Sequence, residues 1–236
     1  MKIQCVFKTE EGVTLLELLI VITVLAILAG GVILSLGSVE EDAALRLSQS
    51  EMQEIKKSVL RFRQDTGFLP KQGPFDLAPP NGGGVVPLPS EGVDWFRSSA
   101  NFDQLYRNPL TGTGHPLESW NPNTARGWRG PYLTVHGEGL VDVGNNLGTD
   151  GTGSPVAGTV VANVRGVADP FIASPAGAYL VWRSSTAAAS HDRWGRPYFL
   201  FALNNLNQAR IVGMGPNRAY DGGTSTSDDL VLYLFR

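Results

Sequence analysis

An α+β fold, in which one long N-terminal α-helix packs on a small antiparallel β-sheet with long loops, is what this sequence predicts. Three observations carry it. The chain is apolar almost without interruption over 13–36, an amphipathic pattern continues to Thr66, and short segments rich in β-branched and aromatic residues follow between glycine- and proline-rich stretches. A helical period early and strand chemistry late place the helix on one layer and the sheet on the other.

The apolar run is broken only by Thr14, Glu17, Thr23, Ser35 and the pair Gly30 and Gly31. At 1.5 Å per residue its 24 positions reach roughly 36 Å, enough for a hydrocarbon core. Lys2 and Lys8 precede the run, and Glu40, Glu41 and Asp42 follow it. The basic side stays in the cytoplasm, so the bulk of the chain is expected outside, with the helix transmembrane in its first half. A secretory signal is shorter, with an apolar core of about 7 to 15 residues and an A-x-A-like cleavage site. Here the run is too long, Glu10 and Glu11 are acidic, and "AILA" at 26–29 has the wrong spacing. An ordinary signal-anchor explains the span but not Glu17, because an acid at membrane depth costs a few kcal/mol unless it has a partner.

Beyond the run, Ala44, Leu47, Ile55, Val59 and Phe62 share one side of a helix, while Glu51, Glu54, Lys57 and Arg61 lie between them. "DTG" at 65–67 with Pro70 just beyond supplies the stop, so one helix is expected over 13–66. The segment 68–93 is punctuated by glycine and proline and reads as a surface loop. A short helix is expected over 93–106 and more loop after it. Strands are expected at "GPYLTV" (130–135), "GAYLVWR" (177–183), "PYFLFAL" (197–203), "ARIVGMG" (209–215) and "LVLYLF" (230–235), with 204–208 as a hairpin connection.

With glycine, a short hydrophobic step, the acid and a long apolar tail in register, "GVTLLELLIVI" (12–22) resembles the leader junction of type IV pilins and type II secretion pseudopilins. The resemblance implies that a prepilin peptidase cuts after Gly12, that Val13 becomes the N-methylated mature N-terminus, and that Glu17, fifth in the mature chain, governs assembly. In a filament Glu17 would meet the N-terminal amine of a neighbouring Val13, so that two charges expensive in lipid neutralise each other. Glu10 and Glu11 stand where basic residues are usual, and Val13 where Phe or Met is commoner; both departures bear on cleavage efficiency more than on its site. "RFRQDTGFLP" (61–70), "GWRGPYL" (127–133), "HDRWGRPYFL" (191–200) and "ARIVGMGPN" running on to "TSDDLVLYL" are similar to the major pseudopilin branch. Against a compact member of that branch, 82–119 and 137–175 look like insertions.

The domains implied are a leader at 1–12, a transmembrane or filament-core half of the helix at 13–36, an amphipathic half at 37–66, and a periplasmic or extracellular domain at 67–236. The resemblance implies an inner-membrane, single-pass protein with its N-terminus cytoplasmic, polymerising with copies of itself. Its further partners would be minor pseudopilins, the inner-membrane secretion platform and the prepilin peptidase. A type IV pilin acting in adhesion or motility is the alternative within the superfamily. A membrane-anchored ligand-binding module is the alternative of another class.

A net charge of −3 and 42% hydrophobic residues give no polybasic surface, so nucleic-acid binding is not expected. Cys5, the one cysteine, lies in the leader region, so a mature exported domain has no disulfide to staple it. The loop "GPNRAYDGGTSTSDDLV" (215–231) offers hard oxygen ligands of the kind calcium takes. The resemblance implies a calcium site there, and by position Asn217, Asp228 and Asp229 match best, with Asp221 nearby. Solvated turn residues account for the same composition. A second acidic loop carries Asp142, Asn145, Asn146 and Asp150, which turn chemistry explains equally well. His115, His136 and His191 have no nucleophile elbow beside them, and no Walker loop, H-E-x-x-H or dinucleotide fingerprint occurs, so no enzyme is expected. In the turn "DRWGRPY" (192–198), Asp192, Trp194 and Tyr198 read as fold-makers, with Trp194 over the core and Pro197 opening an edge strand.

Overall fold

A computed structural model of the chain describes residues 14–77, 90–133, 138–153, 158–171, 181–183, 193–194, 196–217, 219–222 and 227–236; among these, the side chains at 32–38, 138–139, 181–183 and 193–194 lie outside the description. The chain has an N-terminal helix packed with small antiparallel sheets, an α+β fold. It divides into two units, Met1–Ala43 and Ala44–Arg236.

Helix α1 is Leu15–Thr66. In the first unit the described apolar side chains stand exposed, among them Leu15, Leu16, Leu19, Ile20, Leu25 and Ile27. Among the described residues no helix is long and apolar enough to cross a membrane. Within the predicted span, side chains are described from Thr14 to Gly31. The predicted span of 13–36 thus extends past the described side chains at both ends.

In the second unit the helix buries Ser48, Met52, Ile55, Val59, Phe62 and Thr66, a clean alternation of three- and four-residue steps along one face. Leu47, expected on that face, is 51% exposed. Ser48 takes the inward place because its hydroxyl shares a 2.9 Å hydrogen bond with the buried Tyr198 hydroxyl. The helix ends as its sequence predicts: Gly67, at φ 87°, donates its N–H to Arg63 O at 2.8 Å, the left-handed cap that glycine makes easily.

The strands are β1 Glu138–Gly144, β2 Val160–Val167, β3 Val181–Arg183, β4 Arg193–Trp194, β5 Phe199–Phe201, β6 Arg210–Gly213 and β7 Leu230–Tyr233. They form two sheets, not one: a four-stranded sheet ordered β2-β1-β3-β4 and a three-stranded sheet ordered β5-β6-β7. All the pairings are antiparallel. The last three strands lie where the sequence places them, and 204–208 is their turn, with Gln208 N–H donating to Asn205 O.

Two expectations need correction. The segment 130–133 is not a strand: Tyr132 and Leu133 both donate their N–H groups to Leu105 O instead of a neighbouring strand. The single helix expected over 93–106 is two short ones, α2 Val93–Arg97 and α3 Asp103–Tyr106, because Phe102 N–H leaves the helical pattern to bond Arg165 O at 2.8 Å. The segment 137–175, which looks like an insertion beside a compact member, supplies β1 and β2.

The reason lies in how β5 and β6 are buried. Phe199, Leu200 and Phe201 are all buried, and they alternate between two cores. Leu200 and Ile211 join Met52, Ile55, Val59 and Phe62 of α1. Phe199, Phe201, Val212 and Met214 join Trp95 and Phe96 of α2, Val143 of β1 and Val161 and Val164 of β2. The small sheet is therefore covered on both faces at β5 and β6, which is why these two strands read as continuous apolar runs.

Candidate functional site: the helix start and the C-terminal loop

The structure describes α1 from its first turn. Thr14 precedes the helix, and its Oγ1 accepts the N–H of Glu17 at 3.2 Å, while Leu18 N–H donates to Thr14 O at 3.1 Å. Thr14 is thus the helix cap and Glu17 stands three residues in, the spacing of a capping box. Sequence reasoning on the acid alone overlooks this, although the signal T-x-x-E is present. Glu17 is exposed in the first turn of α1, where a negative charge also suits the helix dipole. Gly12 and Val13 lie outside the described residues.

The four residues expected at the C-terminal loop do come together. Asn217 N–H donates to Asp228 Oδ2 at 2.6 Å, and Asn217 Nδ2 donates to Asp221 Oδ2 at 2.5 Å. Asp221 N–H in turn donates to Asp229 Oδ2 at 3.1 Å, and Asp229 N–H to Ser227 Oγ at 3.0 Å. Asp228 Oδ1 is buried with no hydrogen-bond partner among the described residues. Among the described residues no three acidic, histidine or cysteine side chains gather into a metal cluster. Any cation here would draw on the Asn217 amide and backbone carbonyls as well as on carboxylates.

The second acidic loop lies against the first. Tyr220 packs on Phe199 and Phe201 and donates its hydroxyl to Gly151 O. Arg210 Nη2 donates to Asp150 O at 2.6 Å, with its guanidinium over the Phe201 ring. Asp150 accepts from Thr152 N–H and Oγ1, and these bonds hold its carboxyl below the usual range. That is turn chemistry, with Arg210 as the local cation.

Of the turn residues, Tyr198 is fully buried and donates its hydroxyl to Glu51 Oε2 at 2.8 Å. Burial pushes that hydroxyl well above the ordinary tyrosine range, so it remains a donor at every physiological pH. Pro197 forms an isolated bridge with Ala168. Asp192 and the Trp194 side chain, together with His136 and His191, lie outside the described residues. His115 caps a local turn, its Nδ1 accepting Leu117 N–H at 3.1 Å.

Residues 7–33 match the family described as the prokaryotic N-terminal methylation motif. A search of the curated proteins and of the solved structures finds no match to the chain. The matched segment contains Gly12, Val13, Thr14 and Glu17, and it is the signal of type IV pilin-like proteins, pilin or pseudopilin. The fold of a long N-terminal helix with small antiparallel sheets is consistent with that class, and such a signal marks a membrane-anchored or filament subunit.

Proposed function

We propose that the chain is a structural subunit, not an enzyme: a pseudopilin of the major type that polymerises into a periplasmic filament and helps a type II secretion machine expel folded proteins. The observation that carries this reading is the methylation signal at 7–33, with Glu17 fifth after the cleavage position. Prepilin peptidase removes 1–12, Val13 carries the methylated amine, and Glu17 pairs with the Val13 amine of a neighbour. The exposed leucines and isoleucines of α1 lie in the inner membrane before assembly and build the filament core afterwards. The N-terminus is cytoplasmic and the Ala44–Arg236 unit periplasmic, where it meets minor pseudopilins, while the inner-membrane platform drives extension.

Calcium belongs to the same proposal. Asp228, Asp229, Asp221 and Asn217 would hold it, and the buried Asp228 Oδ1 is the atom in favour. The ion would tie a long, disulfide-free loop to β7 and stabilise the folded domain by mass action.

The test is a deletion strain. Folded exoproteins trapped in the periplasm of that strain, and a mature N-terminus of methylated Val13 by mass spectrometry of the protein from its parent, are the expected results. Normal secretion with loss of surface fibres would assign the chain to type IV pilins, and a retained Met1 would sink both.

A further inference from the structure

Where α1 ends, the chain builds a cavity of about 260 Å³. Pockets for drug-sized ligands run from about 300 to 1,000 Å³, so this one suits a single small molecule. Its walls are tied down. Lys71 N–H donates to Gln104 Oε1 at 2.7 Å, Gln72 Nε2 donates to Leu203 O, and Ala202 N–H donates to Thr149 O at 2.7 Å. Lys71 and Ala202 both hold left-handed backbones, φ 61° and 54°. Such conformations are uncommon away from glycine, and they cluster at ligand sites.

Lys71 Nζ donates to Ser98 O at 2.6 Å, and that carbonyl is its one acceptor among the described residues. An ammonium has three donors, so two remain to be satisfied, and Lys71 forms no ion pair among the described residues. Arg97 and Asp76, one cation and one anion, also line the cavity, and each has bonding partners of its own. Asp103 acts on Lys71 from α3, but shares its charge with Arg165 at 3.2 Å and Arg107 at 3.6 Å. The lining as a whole carries one positive charge in excess. Thr149 and Asn204 offer hydroxyl and amide groups, over an apolar floor of Phe96 and Leu203.

We infer that this cavity is a binding site for a small polyhydroxy carboxylate, its acid group paired with the Lys71 ammonium and its hydroxyls hydrogen-bonded by Thr149 and Asn204. Burial lowers the Lys71 amine to about 7, against a weaker upward pull from Asp103. Binding an anion requires the charged amine. Below about pH 7 affinity is therefore level, and above it affinity falls about tenfold per pH unit, as the charged fraction does.

The experiment is calorimetric titration of the full-length chain in detergent micelles with glucuronate at pH 6, 7, 8 and 9, with glucose and acetate as controls. Saturable glucuronate binding that weakens with pH as stated, and is at least tenfold tighter than that of either control, is expected. Lys71→Met should weaken binding more than tenfold. Asn204→Ala, on an exposed turn where the fold is not at stake, should weaken it about fivefold, the loss of one hydrogen bond. An oligosaccharide ending in a uronate distinguishes a glycan end from a free acid as the source, according to which binds tighter. No saturable binding, an affinity unchanged from pH 6 to 9, or acetate binding as tightly as glucuronate would overturn the assignment.

Discussion

On the proposed reading the Glu17 side chain acts through its charge, whereas its part in the helix cap belongs to the backbone N–H, which alanine and glutamine both keep. The charge can pair with a neighbour's amine. Glutamine serves a capping box about as well as glutamate but carries no charge. Glu17→Gln should therefore be processed and inserted normally, with an unchanged helix, yet assemble as poorly as Glu17→Ala. Thr14→Ala loses a cap worth about 1 kcal/mol and should retain most filaments. Immunoblots of sheared filaments, beside mass spectra of the mature N-terminus, decide it. Filaments from Glu17→Gln at the wild-type level would rule out the charge as the reason for the residue. The acid was legible in the sequence because it interrupts an apolar run; the cap was less so, since Thr14 reads as one more tolerated polar residue.

At the scale of elements, two joints hold α1 to what it packs on. Near its end, Gly127 N–H donates to Asp65 O at 2.8 Å and Arg126 Nη1 to Gln64 O at 2.9 Å. One face further back, Lys56 Nζ reaches Tyr233 O at 2.7 Å, and Arg63 lies over the Phe235 ring. Gly127 sits at φ 125°, and a Cβ there would come within 2.0 Å of Ser119 O. Gly127→Ala should therefore lower stability by about 3 kcal/mol or more, as backbone strain and a backbone clash together demand. Thermal melting of the variant in micelles measures it, and a melt within a degree of wild type would disprove the contact. The C-terminal loop makes a further joint, between β6 and β7. If calcium completes it, chelation should lower the melting temperature of the full chain, and Asp228→Asn should abolish the difference. An unchanged melt on chelation would mean that the hydrogen bonds from Asn217 and Asp221 close the loop unaided. These joints could be read only in part from sequence. The helix stop at 65–67 and the strands β5 to β7 carry strong local signals, whereas Lys56 and Gly127 act on carbonyls remote in the chain.

For the whole Ala44–Arg236 unit, what the sequence obscured most is the second layer. β1 reads "EGLVDVG" and β2 "VVANVRGV": the alternation of valines is interrupted by glycines and by Asp142 and Asn163. The ladder itself is irregular between Val141 and Val143, with Asn163 in a left-handed backbone at φ 57°. Asp142 Oδ1 accepts Asn163 N–H at 3.0 Å, so the two polar residues that weaken the strand signal are the ones that fasten the irregularity. A segment that looks dispensable beside a compact relative is in this chain the cover of Phe199, Phe201, Val212 and Met214. The two phenylalanines bury about 150 to 250 Å² each, so uncovering them together with Val212 and Met214 exposes at least the few hundred Å² of contiguous apolar surface that a monomer tolerates. Replacing 138–171 with a short glycine-serine linker should therefore leave α1 and its leader signal intact but yield a domain that binds a hydrophobic dye and elutes as aggregates on gel filtration. A soluble, cooperatively melting deletion variant would show that α1 and the β5 to β7 sheet suffice for the fold, and that the second layer exists for a partner instead.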